Sequence, residues 1–493
     1  MSAHVDIGQG TAFKADIGKG TKPGAIRATW SRQVAVDTIA LLEVAAVVIG
    51  GLAPALIYAV VGGAETSWAL VAQSLIVASI VSHLCLRRWG MYDPMRLHDF
   101  AERPAILFSG LGLSLIAVLG IGLPYAVKSA HIWIWYAVWF LTSATLLLSI
   151  RGIARPVLAR MAARGYFDRR VAVFGAGQIA RRVNDYLADP RLGIQFVGVY
   201  DDRAGEDRLN PEGLTVAGKL EDLIEAARAD KIDQIVIALP QSADHRIVMV
   251  AKRLEQLPVS LHIVTHISSD LMEGVGHRVS SIGNVGLLDV KAKPLADWAP
   301  IVKRAEDLLI GTLFLVALSP LMLLIAIAVK LDSAGPVFYR QRRRGLNQRV
   351  IEILKFRTLH VVEPDDQVKQ VVPNDPRVTR VGRILRRTSL DELPQLVNVL
   401  RGEMSLVGPR PHAVIHDEQY GREFEEYANR HQVKPGITGL AQVKGLRGET
   451  SSPDKMKSRI EQDIAYIAGW SLWLDLKIIA ATMWAVLTGR NAH

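Results

Sequence analysis

The chain has 493 residues, half of them apolar, with a net charge of +10 and one cysteine. That length exceeds one ordinary core, and a lone thiol, Cys85, excludes an intrachain disulfide framework. The basic surplus suits nucleic acid, but with so much apolar sequence it points instead to anionic lipid headgroups and phosphorylated substrates.

Residues 1–30 carry Gly, Lys and polar residues without the apolar centre of a signal peptide, which predicts a disordered tail kept in the mature protein. Four apolar stretches follow, at 34–61, 68–86, 104–123 and 132–150. Each is about the ~20 residues a bilayer demands, so residues 31–151 are predicted to form a four-helix transmembrane bundle. Asp37 and Glu43 near the start of the first stretch suggest that its embedded part begins after them. Arg27 and Arg32 precede the first stretch, Arg87, Arg88, Arg96 and Arg103 separate the second from the third, and Arg151, Arg155 and Arg160 follow the fourth. The other two loops carry only Glu65, Lys128 and His131. The positive-inside rule then puts the N-terminus and everything after Arg151 in the cytoplasm.

From Arg169 the pattern becomes strand, turn, helix: Val171-Ala-Val-Phe174, Gly175-Ala-Gly177, then a polar helix. Further strands are predicted at 196–200, ending in Asp201-Asp202, and at 234–239 and 261–264. This predicts a Rossmann-like cytoplasmic domain over 165–275, with Gly175 and Gly177 at a phosphate and Asp201 at a ribose. The equal alternative is a plain tight turn in a regulatory or oligomerising domain. A membrane-bound nucleotide-sugar dehydratase would share this layout, but the sequence has no Tyr-x-x-x-Lys pair to supply its base. A nucleotide-sensing membrane regulator is a further alternative. Residues 276–300 read as a linker.

The run 308–331 is long enough to span, yet Lys303 and Arg304 precede it and Lys330, Arg340 and Arg342 to Arg344 lie at or beyond its end. Ser319-Pro320 at its middle removes a backbone donor and bends a helix. These features predict a re-entrant, monotopic segment, with an ordinary fifth span as the alternative. Near the C-terminus, Trp470 and Trp473 lead into the apolar stretch 478–487, which predicts an interfacial helix, with burial against the core as the alternative.

Ser389-Leu-Asp391-Glu392 sets two adjacent carboxylates inside a basic region. One can attack phosphorus while the other holds Mg2+, and surrounding cations neutralise phosphate oxygens. The stretch also fits a helix capping box with Ser389 as cap, although Pro394 would move the helix start to 391–393. Arg377 and Arg410, each beside a proline, suit a bidentate grip on phosphate, with a surface salt bridge as the alternative. Lys355 and Arg357 could share one strand face and reach a pyrophosphate or a headgroup, with a plain solvated face as the alternative. Arg342 to Arg344 suit lipid phosphates, and Asp307 suits pairing with Arg304 or capping.

Lys303-Arg304 with Asp307, Ser319-Pro320, Ser333-Ala-Gly-Pro336, Gln341, Gly345, Lys355-Phe-Arg357, Asn374-Asp-Pro-Arg377, Ser389 to Gln395, Asn398-Val-Leu400, Met404 to Pro411 and Lys434 to Gly439 occur in order. Together they resemble the bacterial sugar transferases that act as polyprenyl-phosphate hexose-1-phosphate transferases. With the four spans and the Rossmann-like segment, the chain is similar to large members such as undecaprenyl-phosphate glucose phosphotransferases. Ala334 departs from the proline or polar residue expected there. The resemblance implies a catalytic domain over 301–493 in a bacterial inner-membrane protein of α plus α/β class. It implies Asp391 as nucleophile towards a UDP-hexose, a phosphosugar-enzyme, release of UMP, undecaprenyl phosphate as acceptor and Glu392 as Mg2+ ligand. Glucose is the favoured sugar ahead of galactose. The expected partners are these substrates and membrane lipids, not nucleic acid, and a homodimer through the cytoplasmic domain is compatible.

Overall fold

The computed structural model describes residues 31–488 except 62–66, 95–103, 127–130, 188–192, 204–213, 266–278, 283–284, 361–374 and 447–452. The expected tail 1–30 lies outside the described residues, as do Glu65, Arg96, Arg103, Lys128 and Asn374.

Four apolar helices come first: α1 (Arg32–Val60), α2 (Trp68–Arg88), α3 (Pro104–Ala126) and α4 (His131–Ala163). Each is long and apolar enough to cross a membrane. Helix α1 packs on α4 and α2, and α3 on α2 and α4. Small residues permit the closest approach: a Cβ on Gly51 would come within 2.6 Å of the Trp139 indole. There Trp139 Nε1 donates to Val47 O at 2.8 Å and Thr142 Oγ1 to Gly50 O at 2.7 Å. Helix α4 does not stop where its apolar run ends at Ile150. It continues because Ala154, Leu158 and Met161 pack against Val36, Ile39 and Phe167, while Arg151 pairs with buried Glu43 at 2.6 Å.

The α/β region contains β1 (Arg169–Phe174), α5 (Gln178–Leu187), β2 (Ile194–Tyr200), β3 (Val216–Gly218), α6 (Leu220–Arg228), β4 (Gln234–Ile237), α7 (Asp244–Glu255), β5 (Ser260–Thr265), β6 (Val279–Ile282) and β7 (Val285–Lys291). Strand order is β3-β2-β1-β4-β5-β7-β6. Neighbours from β3 to β5 are parallel, with the central β1 and β4 buried, as a doubly wound sheet requires. Strands β6 and β7 correct the expected linker at 276–300. They add antiparallel to β5 and to each other, covering an edge that would otherwise expose unpaired backbone groups.

The C-terminal region begins with α8 (Ala299–Asp332), which extends beyond the expected 308–331 at both ends and runs as one helix through Ser319-Pro320. Its first half, through Ile310, Phe314 and Leu315, packs on Leu396, Val399 and Met404. Its second half, through Met322, Ile325 and Val329, packs on Phe356, Leu385, Leu390 and Leu393. Leu309, Leu313, Val316, Leu323 and Leu324 remain exposed. After α8 come the antiparallel pair β8 (Phe338–Arg344) and β9 (Val350–Phe356), then α9 (Arg380–Thr388), α10 (Gln395–Arg401), β10 (Ser405–Val407), α11 (Val414–Glu423), β11 (Gly436–Thr438), α12 (Leu440–Val443), α13 (Pro453–Ala468) and α14 (Leu472–Thr488). Strands β10 and β11 are parallel. Helix α14 has one face buried against the core and another exposed. Asp475 is fully buried, 2.8 Å from Lys303 Nζ, whereas Trp473, Met483 and Trp484 are exposed.

Candidate active site

The acid pair lies between two helices. Ser389, at φ +61°, closes α9 in the left-handed conformation, so it is a C-terminal cap and not the expected N-cap of a capping box. A one-turn 3-10 helix, Leu390–Glu392, follows and leads through Leu393 and Pro394 into α10. With three residues per turn, Leu390 and Leu393 share a side. Both pack under the second half of α8, and Asp391 and Glu392 occupy the rest of the turn, each buried.

The two carboxylates are held differently. Lys355 Nζ, from β9, donates to Glu392 Oε1 at 2.9 Å. Arg410, following β10, grips Glu392 with both terminal nitrogens, Nη1 donating to Oε2 at 3.0 Å and Nη2 to Oε1. No hydrogen bond to the Asp391 carboxylate is recorded among the described residues. Burial pushes the Asp391 carboxyl up from its ordinary range against the pull of Lys355, and the charge of Glu392 pushes the same way. Burial would also raise Glu392, but Arg410 and Lys355 outweigh it and hold that carboxyl well below the usual range. Lys355 is lowered by burial, and Arg343 is lowered to about 10 by burial and by the charge of Arg410. The result is an Asp391 carboxyl with no hydrogen bond among the described residues, beside a cation-gripped Glu392. This arrangement suits nucleophilic attack on a phosphoanhydride whose oxygens Lys355 and Arg410 can take over.

A magnesium ion at Glu392 would have to share an oxygen with Lys355 or Arg410, since both Glu392 oxygens already accept from these cations. No cluster of three or more acidic, His or Cys ligands is found among the described residues, so substrate phosphate oxygens would have to complete the shell.

Lys355 and Arg410 therefore lie against the acid pair, both bonded to Glu392. Arg357 does not. Strand β9 ends at Phe356, and buried Arg357 leaves the strand alternation to donate to Ala334 O and Ser333 O at 2.7 Å each, tying down the exit of α8. Arg377 holds Asp375 of its own turn, at 2.9 Å from Nε, and makes no recorded bond to the acid pair. Asp307 accepts from Ser405 Oγ and Leu406 N at 2.9 Å each, while Arg304 caps α10 through Val399 O and Leu400 O, so the expected pairing of these two is absent. The Arg342–Arg344 group divides: Arg343 turns inward to Gln341 and Pro411 O, and Arg344 pairs with Glu418. Sequence reasoning missed Arg343 as part of the site, although its place on a strand adjoining that of Lys355 was a usable signal.

At the glycine turn, Gly175 has φ +111°, and a Cβ there would meet Ala238 O at 2.7 Å. Gly177 faces open space, with nothing within 4 Å of a Cβ. Asp201, expected at a ribose, is already engaged. It accepts from Ala176 N at 2.9 Å and from Arg203 N, Nε and Nη2 at 3.0, 3.1 and 2.8 Å. Burial opposes its ionisation, but these bonds prevail and lower its pKa. Arg246 pairs with Asp202 at 3.1 Å beside it.

Residues 298–489 match the sequence profile of the family described as bacterial sugar transferase, and residues 87–265 match one described as CoA-binding domain. The chain is 40% identical over 394 residues to the UDP-glucose:undecaprenyl-phosphate glucose-1-phosphate transferase of Escherichia coli (strain K12), covering 79% of this chain and 82% of that protein. It is 34% identical over 448 residues to the protein of the same name from Xanthomonas campestris pv. campestris, covering 88% and 91%. The exopolysaccharide production protein PSS of Rhizobium leguminosarum bv. phaseoli is 46% identical over 192 residues, 38% of this chain but 96% of that protein.

Proposed function

The chain belongs to the bacterial sugar transferases and is a transferase of the membrane, and on that premise we propose that it moves glucose-1-phosphate from UDP-glucose to undecaprenyl phosphate, as the names of its relatives describe for them. UDP-galactose is the second candidate donor. The product would begin a surface polysaccharide, as in exopolysaccharide or capsule synthesis.

The observation that carries the reading is the Asp391 carboxylate, without a hydrogen bond among the described residues, beside Glu392, itself gripped by Lys355 and Arg410. An Asp391 oxygen attacks the phosphorus that bears the sugar. A P–O bond to Asp391 forms, the anhydride P–O bond breaks, and UMP leaves with the electron pair. An oxygen of undecaprenyl phosphate then attacks the same phosphorus and expels the carboxylate, so two anionic substrates use one site in turn. Lys355 and Arg410 move from Glu392 towards phosphate oxygens, neutralising charge where it develops. Glu392 would hold Mg2+, which supplies charge neutralisation to the phosphates when bound.

Both halves of α8 rest on one globular region while its exposed leucines face outward. About 50 Å of helix whose two ends share one domain favours a re-entrant segment over a crossing one, with the active site at the membrane surface. The arginine distribution around α1 to α4 supports four spans with the catalytic region on the cytoplasmic side of a bacterial inner membrane. Gly177 and the engaged Asp201 leave a phosphate, and not a ribose diol, as the group the α/β turn could receive.

Purified full-length protein is to be incubated with UDP-glucose and undecaprenyl phosphate. The expected products are UMP and a lipid-linked sugar diphosphate. Without lipid, the peptide containing Asp391 should gain the mass of a hexose phosphate. Release of UDP instead of UMP, or turnover with no adduct detectable on that peptide, sinks the covalent route, and absence of any turnover favours a regulator that binds nucleotide.

A further inference from the structure

Arg410 stands between Pro409 and Pro411, which have no backbone N–H groups, so the carbonyls are the main handles on this segment. Each is held from a different place. Gly436 N donates to Pro409 O at 3.0 Å, Arg430 Nη2 to Arg410 O at 2.7 Å, and Arg343 Nη1 to Pro411 O at 3.2 Å.

Arg430 is only 2% exposed. Its Nε and Nη2 reach Asp463 Oδ2 at 3.2 and 2.7 Å, and its Nη1 reaches Tyr427 OH at 3.1 Å and His412 Nδ1 at 2.6 Å. Asp463 lies on α13 and Tyr427 in the 3-10 segment Glu425–Gln432, so the guanidinium is fixed from two elements before it touches Arg410. Burying such an ion pair carries a desolvation cost that apolar residues would avoid. What it provides here is a rigid planar donor aimed at one carbonyl.

We propose that Arg430 is a positioning residue for the transfer reaction: by holding the Arg410 carbonyl it aims the Arg410 guanidinium at Glu392 and at the substrate phosphate. It touches neither reacting atoms nor substrate. The inference rests on reading Arg410 as a phosphate-binding group, and geometry of this kind matters because a misplacement of ~1 Å can cost on the order of 100-fold in rate.

The test is a double-mutant cycle on UMP release by the full chain, with Arg430→Lys, Arg410→Lys and the pair. Arg430→Lys should slow wild-type turnover roughly 30-fold, with substrate KM changed far less than kcat. In the Arg410→Lys background the same change should cost under about 3-fold, because lysine has no planar fork left to aim. Arg430→Met made together with Asp463→Leu removes the buried pair without stranding a charge. This pair should be slower than Arg430→Lys, which keeps one donor for the carbonyl, and it replaces Arg430→Lys in the cycle if that variant does not fold. Equal fold-losses in both backgrounds, or wild-type kcat in Arg430→Lys, overturn the inference alone. An unchanged rate in Arg410→Lys overturns the reading of Arg410 and the inference with it.

Discussion

Glu392 and Asp201 are both buried acids beside a turn, and both are lowered in pKa by arginine. They differ in where their partners come from. Asp201 is satisfied by Arg203, two residues on, and by the glycine turn it faces. Glu392 is satisfied by Lys355 and Arg410, 37 and 18 residues away, on separate elements. Asp201 takes its shortest bonds from its own turn and from the backbone N–H of Ala176, with Arg246 of α7 farther off at 3.9 Å. Donors brought together by the tertiary fold, next to a second carboxylate without a recorded bond, are the ones an incoming phosphate can recruit. The comparison separates an acid committed to a neighbouring turn from the proposed catalytic pair, although the two look alike as short motifs.

The largest expected effect is at Asp391. Asp391→Asn keeps size and shape but cannot form the acyl-phosphate, so UMP release should fall by more than about 10⁴-fold with the circular dichroism spectrum unchanged. Retained turnover in that variant would put the nucleophile elsewhere and erase the contrast with Asp201.

A smaller effect is expected from the cations. Asp391 must be ionised to attack, and its pKa is raised, so activity should fall as pH drops through a value above the ordinary carboxylate range. Lys355 lowers both Asp391 and Glu392. Lys355→Met should therefore move the acid limb of kcat/KM to higher pH, by roughly one unit, the limb belonging to the coupled pair and not to either acid alone. An acid limb that stays put would mean that Lys355 does not act on the charge of the pair.

The sequence made the acid pair, Lys355 and Arg410 legible because each sits in a short stretch with its own chemical logic: adjacent carboxylates, a basic strand, an arginine fixed between prolines. The same logic failed at Arg357 and Arg377. Alternation along a strand does not reveal that β9 ends one residue before Arg357, and a proline beside Arg377 does not reveal that Asp375 is within its reach. Arg430 carried no signal, since its importance comes from a carbonyl 20 residues away. In the fold, the apolar helices and parallel strands were readable from long runs. Strands β6 and β7 were not, because an antiparallel extension of a parallel sheet depends on pairing with β5 and not on the local pattern.

The smallest effect on catalysis, and the sharpest check of the comparison, is expected at Asp201. Asp201→Asn leaves one oxygen acceptor but turns the other position into a donor facing Ala176 N–H or the Arg203 guanidinium, so at least one of these groups loses its partner. Arg203 is exposed and can turn to water, so the cost should fall below the about 1–3 kcal/mol of a buried unpaired donor and lower the thermal midpoint by no more than a few degrees. UMP release at saturating UDP-glucose should stay within about 2-fold of wild type. A loss of more than about 10-fold in kcat with an unmoved thermal midpoint would reverse this, because the lost activity would then not come from lost stability. The α/β region would then be acting on the active site, along the route where Asn347 and Arg349 reach Asp230 at 2.9 and 2.7 Å and Gln432, two residues after Arg430, reaches Glu255 O at 2.9 Å.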